Sequence, residues 1–389
     1  MESAHVRRGS TMKLGRVEGD LVAEDHALLQ PADGHVIVVT GRVTFEGSVE
    51  VDSSLECDYF ESSGGIARVN GDLTTRADVE VDDALYTRGN LKAGRVDVGG
   101  KLYVGSSLLS EDVDVGGSLE VQGDLESDRV DVGGSVEVLG ELKAKKLDVG
   151  GRVELGGGGR VEDADVGGTL ASRKPLSFGR LDVGGTIELE GGEGDSVDVG
   201  GRLRSYKALV CKEVEVGGYV EVDGGLSGDK VQVGGKLEVT GDLRLTEGLQ
   251  VGGFAEVRGE ISAAKVTIGE SLRADKCVVQ GSADIGHRVE TQKGLKADAI
   301  TLGKAASVKG PLVGNRVDIG VASRVEDVWC SELTVDRASK VGRVWTDSAN
   351  FASDCQAEGV TYTKGVEQDS RVRFSSPPQK VDRLPPNPI

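Results

Sequence analysis

One phrase recurs through this chain at a fixed interval. It reads VDVGG or a close variant. Its second apolar residue falls at Val81, Val98, Val115, Val132, Val149, Val166, Val183, Val199, Val216, Val233, Val251, Ile268, Ile285, Leu302 and Ile319. The 14 successive steps are all 17 residues, except one of 16 and one of 18. A period this strict is the mark of a repeat architecture, in which each unit buries its apolar face against its neighbours.

The interior of one repeat names the element. In VDVGGSLEVQGDLESDR, residues 113–129, apolar or small residues occupy every odd position from the first to the fifteenth. Alternation with period two is the pattern of a strand with one buried face; a helix needs spacings of three and four. The large residues come in pairs separated by glycines at the fifth and eleventh positions. Short strands joined at glycine corners give a three-sided coil, and glycine suits a corner through its wide backbone freedom. The fold expected is all-β: a single-stranded parallel β-helix, or solenoid, of triangular coils of about 17 residues. Like positions stack about 4.8 Å apart in such a coil. The clear register spans 79–335. Weaker matches, such as Val17-x-Gly19-x-Leu21-x-Ala23, extend the expected rod to 14–363, with about 20 coils and irregular end coils as caps. Residues 1–13 are expected to form a flexible N-terminal tail. Residues 364–389 hold five of the eight prolines and are expected to form a disordered tail, because proline cannot donate to a ladder. The spacing leaves open whether Met1 or Met12 is the true start.

Composition narrows the function. The net charge is −19, against a nucleic-acid partner, which would meet a basic face. No apolar run is long enough for an integral membrane segment, and the N-terminus has no apolar core of a secretion signal. The five cysteines, Cys57, Cys211, Cys277, Cys330 and Cys355, are far apart in sequence. That spacing gives no zinc site and fits free thiols in a cytoplasmic protein. Cys211 sits at an inward position and reads as a buried structural thiol.

Chemistry-bearing patterns are sparse. The second position of the phrase is Asp97, Asp114, Asp131, Asp148, Asp165, Asp182 and Asp198 in seven consecutive coils, then Glu215. Lying between two inward residues, these carboxylates point outward and form a ladder. It is either a weak metal-binding ridge or a tolerated row whose charge is offset by Lys101, Arg152 and Arg202. Gly191-Gly192-Glu193-Gly194-Asp195 resembles a calcium-binding nonapeptide, but occurs once and reads as a local bulge. The histidines, His5, His26, His35 and His287, form no constellation, so no catalytic residue, cofactor or enzyme activity is expected. Trp329 and Trp345 read as caps over the last coils or as a docking site for a partner.

The run VDVGGSLEVQGDLESDRVDVGG resembles the bactofilins, polymer-forming cytoskeletal proteins. The resemblance covers roughly residues 14–363. It implies a right-handed β-helix that assembles end to end, without nucleotide, into a scaffold. On this reading the partner is a second copy of the chain, joined through coil ends. The candidate polymer contacts are Phe45, Val49 and Val51 near one end and Val341, Val344 and Phe351 near the other. The alternatives are a non-polymerising platform, binding proteins along its faces or tail, and a surface or carbohydrate-active β-helix.

Overall fold

The computed structural model describes residues 3–389. Every regular element among them is a β-strand, and the strands stack in parallel as about 22 coils of about 17 residues, a β-solenoid. The coils are divided between two compact units, residues 1–194 and 195–389.

The first unit begins with three strands per coil. Ala4–Val6, Thr11–Leu14 and Arg16–Val17 pair with Leu21–Glu24, Leu28–Pro31 and Val36–Val39 respectively. From Leu125 onward two sides of each coil merge into one eight-residue strand, as in Leu125–Val132. The alternation read from sequence is the burial pattern observed. In the coil starting at Val130, the inward residues Val130, Val132, Val136, Val138 and Leu142 are each no more than 1% exposed. Val130 stands between Val113 and Leu147 of the adjacent coils. Each such side chain contributes about 1.5–3 kcal/mol relative to exposure. One coil cannot outweigh its own ordering entropy; a stack can. Where Ser127 takes an inward place, its hydroxyl is satisfied by the carbonyls of Arg129 at 2.7 Å and Glu111 at 3.2 Å.

The glycine corners work differently from the expectation. Gly133 and Gly134 do not have positive φ. A Cβ on Gly134 would lie 2.5 Å from the Gly117 carbonyl oxygen, and one on Gly133 would lie 2.4 Å from that of Gly116. Glycine is required there by the close approach of successive backbones, with Gly134 N–H donating to Gly117 O at 2.9 Å.

The second unit continues the pattern from Arg202–Ser205 to Gln379–Lys380. Its one 18-residue step, Val233 to Val251, is absorbed as a bulge: Gly228 pairs with Leu245 but Lys230 with Gly248.

Both expected tails are shorter than the sequence indicates. Ala4–Val6 and Thr11–Leu14 belong to the first coil, because their alternate apolar residues find inward places: Ala4, Val6 and Leu14 are buried. At the other end Gln356–Gln368 pairs with Lys340–Phe351, and Arg373–Phe374 and Gln379–Lys380 pair with Gln356–Gln368 in turn.

Candidate functional site

The six residues expected at coil ends lie inside the stack. Phe45, Val49, Val51, Val341, Val344 and Phe351 are all between 0% and 3% exposed. Phe45 is flanked by Ala23 and Ser62, and Val344 by Val328 and Val360. Phe351 packs edge-on against Phe374 at 5.5 Å. The coils run further in both directions than the repeat signal does, so residues placed near the ends are core.

The aspartates of the first unit do form a column. Asp97, Asp114, Asp131, Asp148, Asp165 and Asp182 are successive register partners. Asp198 is likewise outward, in the second unit. The cations serving the column are not those expected. Arg95, Arg129 and Arg180, two residues before an aspartate, reach Asp97, Asp131 and Asp182 at 3.2, 2.8 and 2.7 Å. Lys101, Arg152 and Arg202 instead pair with Glu120, Glu154 and Glu221. Partial burial, then the charges of Asp97 and Asp131, raise the carboxyl of Asp114 above the ordinary range. Among the described residues no group of three or more His, Cys, Asp or Glu is placed to hold a metal ion.

All five cysteines are buried and unpaired. Burial pushes the thiols of Cys57, Cys211, Cys277 and Cys330 up to about 12, so they are held as thiols. Cys211 is inward, as its place in the repeat indicated. Gly192 and Gly194 lie in the strand Gly192–Val199, and a Cβ on Gly194 would collide with the Phe178 ring. That glycine makes room for a neighbour.

The most developed surface feature lies on the second unit. One outward column runs through register partners Val210, Ser227, Arg244, Ser262, Val278, Lys296, Val313, Trp329, Trp345, Thr361 and Gln379. Trp329 and Trp345 stack face to face, 4.1 Å between centroids and 12° between planes. They therefore sit on the side of the stack rather than over its end, and Thr361 and Gln379 follow them. The Arg343 guanidinium lies 5.4 Å from the Trp345 ring. Trp329 and Trp345 line a groove of about 480 Å³ whose other wall includes Leu384, Pro385 and Asn387. The 16-residue separation of the two tryptophans is one coil, which makes them neighbours in the stack. The chain folding back over them leaves no periodic signal and is not readable from spacing.

No family model, curated protein or solved structure matches this chain. No helix among the described residues is long and apolar enough to cross a membrane.

Proposed function

We propose that this chain is a non-enzymatic scaffold whose copies join end to end, beginning at its first coil. The observation that carries this reading is the open strand layer there. Among the described residues, Ala4–Val6, Thr11–Leu14 and Arg16–Val17 each pair on one side only, whereas strands deeper in the stack pair on two. Ala4 N–H donates to Asp20 O, so alternation turns the N–H and C=O of His5 toward the unpaired edge. Such an edge is a template for another strand. The last layer is blunter: Arg373–Phe374 and Gln379–Lys380 are two residues each and flank Pro377 and Pro378. The resemblance to polymer-forming bactofilins supports the same direction, and five unpaired thiols support a cytoplasmic location.

Charge sets how joining responds to salt. Residues 1–17 carry four Arg or Lys against one Glu. Arg8 and Arg16 are already paired with Asp25 and Glu18 at 3.1 and 2.6 Å. A joint between two such layers is opposed by like charge, so association strengthens as salt screens it. Light scattering on the purified chain tests the proposal: masses at multiples of one chain, rising with concentration and salt, are expected. His5→Pro, which removes an edge donor, and Arg7→Glu are expected to reduce and to increase association respectively. A monomer at every concentration and salt level overturns the reading.

A further inference from the structure

The last nine residues run back over the tryptophan column. Gln379 tops the column, paired with Thr361. Ile389 lies partway down it, where Lys296 Nζ donates to its carbonyl oxygen at 3.2 Å and Gly294 leaves room for its side chain. From Gln379 to Lys296 is five register steps, through Thr361, Trp345, Trp329 and Val313. Five steps of about 4.8 Å span roughly 24 Å. Residues 381–389, three of them proline, cover about 28 Å at the polyproline II rise of about 3.1 Å per residue. The segment is therefore just long enough to lie extended along the column.

Exposure along the column records the cover. Val210 and Val313 are the same residue type in the same column, yet Val210 is 54% exposed and Val313 only 6%. The cover does not satisfy all that it meets. The Nε1–H of Trp329 is buried and has no hydrogen-bond partner, and about 480 Å³ stays open between the two walls. A buried indole N–H left unpaired is costly, and an extended proline-rich strand offers the carbonyls that pair with one. Stacked aromatic faces beside such a donor are the physical means by which extended proline-rich segments are gripped.

We propose that this groove is a docking site for an extended, proline-rich segment of a partner protein, and that residues 384–389 are its resident intramolecular competitor. The tail's own chemistry, Leu384-Pro385-Pro386-Asn387-Pro388-Ile389, states the class of ligand accepted. Its leftover donor and space leave room for a segment in better register to displace it. A tether this short holds the competitor at an effective concentration in the millimolar range, so an outside segment meets a groove that is mostly occupied.

The test uses the full chain and a fluorescein-labelled peptide of residues 381–389. Leu384→Ser with Ile389→Ser weakens the resident tail while leaving the coils untouched. By fluorescence anisotropy the peptide is expected to bind this opened variant at least about 10-fold more tightly than the native chain, and tryptophan emission is expected to shift to the red on opening. Adding Trp345→Ala, or in a separate variant Lys296→Ala, to the opened chain is expected to weaken binding about 10-fold or more; the Lys296 variant guards against misfolding of the first. Three results overturn the proposal: no saturable binding to the opened variant, equal affinity for opened and native chains, or indifference to both added substitutions. Concentration-dependent dimers of the native chain that vanish in the opened variant assign the groove to a second copy's tail and likewise overturn it. Since none of these substitutions touches the first coil, failure here is distinguishable from failure of end-to-end joining.

Discussion

Two stretches of this molecule turn the same corner with different chemistry. From Gly99-Gly100 to Gly252-Gly253, most coils place a glycine pair after the second inward residue of the phrase. In the last coils that place is taken by short turns built on Ala305, Ala322, Ala338, Asp354 and Arg371. All five have φ between 54° and 65° and recur every 16 or 17 residues. The first solution deletes the Cβ so that successive backbones approach closely. The second keeps the side chain and bends the backbone into the left-handed region, at a cost of about 1–2 kcal/mol per residue. The corner thus demands a geometry, and the residue type is only one of several ways to meet it.

The sides of the coil do not share this difference. Val130 in a glycine-cornered coil and Val344 in a coil that turns on positive-φ residues are 0% and 1% exposed, each between apolar register partners. The largest effect expected is therefore common to both regions. Val130→Asp and Val344→Asp each bury an uncompensated carboxylate and are expected to cost at least about 3 kcal/mol. Chemical denaturation monitored by circular dichroism checks this. A mild Val344→Asp phenotype beside a severe Val130→Asp one shows that the last coils are packed by other rules.

The corners are where the regions part. Gly134→Ala sets a methyl against the Gly117 backbone, which has no side-chain freedom with which to give way. A loss of about 1–3 kcal/mol is expected, typical of overpacking a tight site. The reciprocal change, Ala338→Gly, relieves the left-handed strain at φ 60° and is expected to gain up to about 1 kcal/mol, less the entropy glycine adds to the unfolded chain. Both are read as shifts in denaturation midpoint at constant slope. If Gly134→Ala is neutral, close approach is not what the glycine pair provides.

The two corners also explain what was legible in the sequence. The strand alternation, the coil period and the inward identity of residues such as Cys211 follow from periodicity, because stacking imposes it. The glycine pair carries the register by eye, and where turns built on Ala305, Ala322, Ala338, Asp354 and Arg371 stand instead of an intact pair the signal fades near 335, although coils continue to Gln379–Lys380. That fading is why Val341, Val344 and Phe351 read as end residues and prove to be core. At the other end His5 and Lys13 carry no repeat phrase, yet flank inward residues of the first coil. The tryptophan groove divides along the same line. Trp329 over Trp345 is a matter of period. The return of the proline-rich tail depends on length, Gly294 and Lys296 together, none of which is periodic.

The smallest effect expected separates charge from strand preference on the outer column. In the first unit this column sets Asp114 between Asp97 and Asp131; in the second, Asp318 stands between Thr301 and Thr334. Thr is the better strand former, so Asp→Thr gains something at either site, and only at Asp114 does it also remove a like-charged neighbour on both sides. An excess gain of a few tenths of a kcal/mol is expected for Asp114→Thr over Asp318→Thr at low salt, shrinking as salt is added. The pH dependence has a definite sign. Burial and the flanking aspartates raise the folded carboxyl of Asp114 above its unfolded value, so folding disfavours the ionised form. The penalty is present at neutral pH and is lifted as pH falls through the raised folded value toward the unfolded one. The advantage of Asp114→Thr should therefore fade on acidification. If it grows instead, the Arg95 guanidinium, 3.7 Å from Asp114, outweighs the two aspartates, and the column is a set of ion pairs rather than a row of mutually repelling charges.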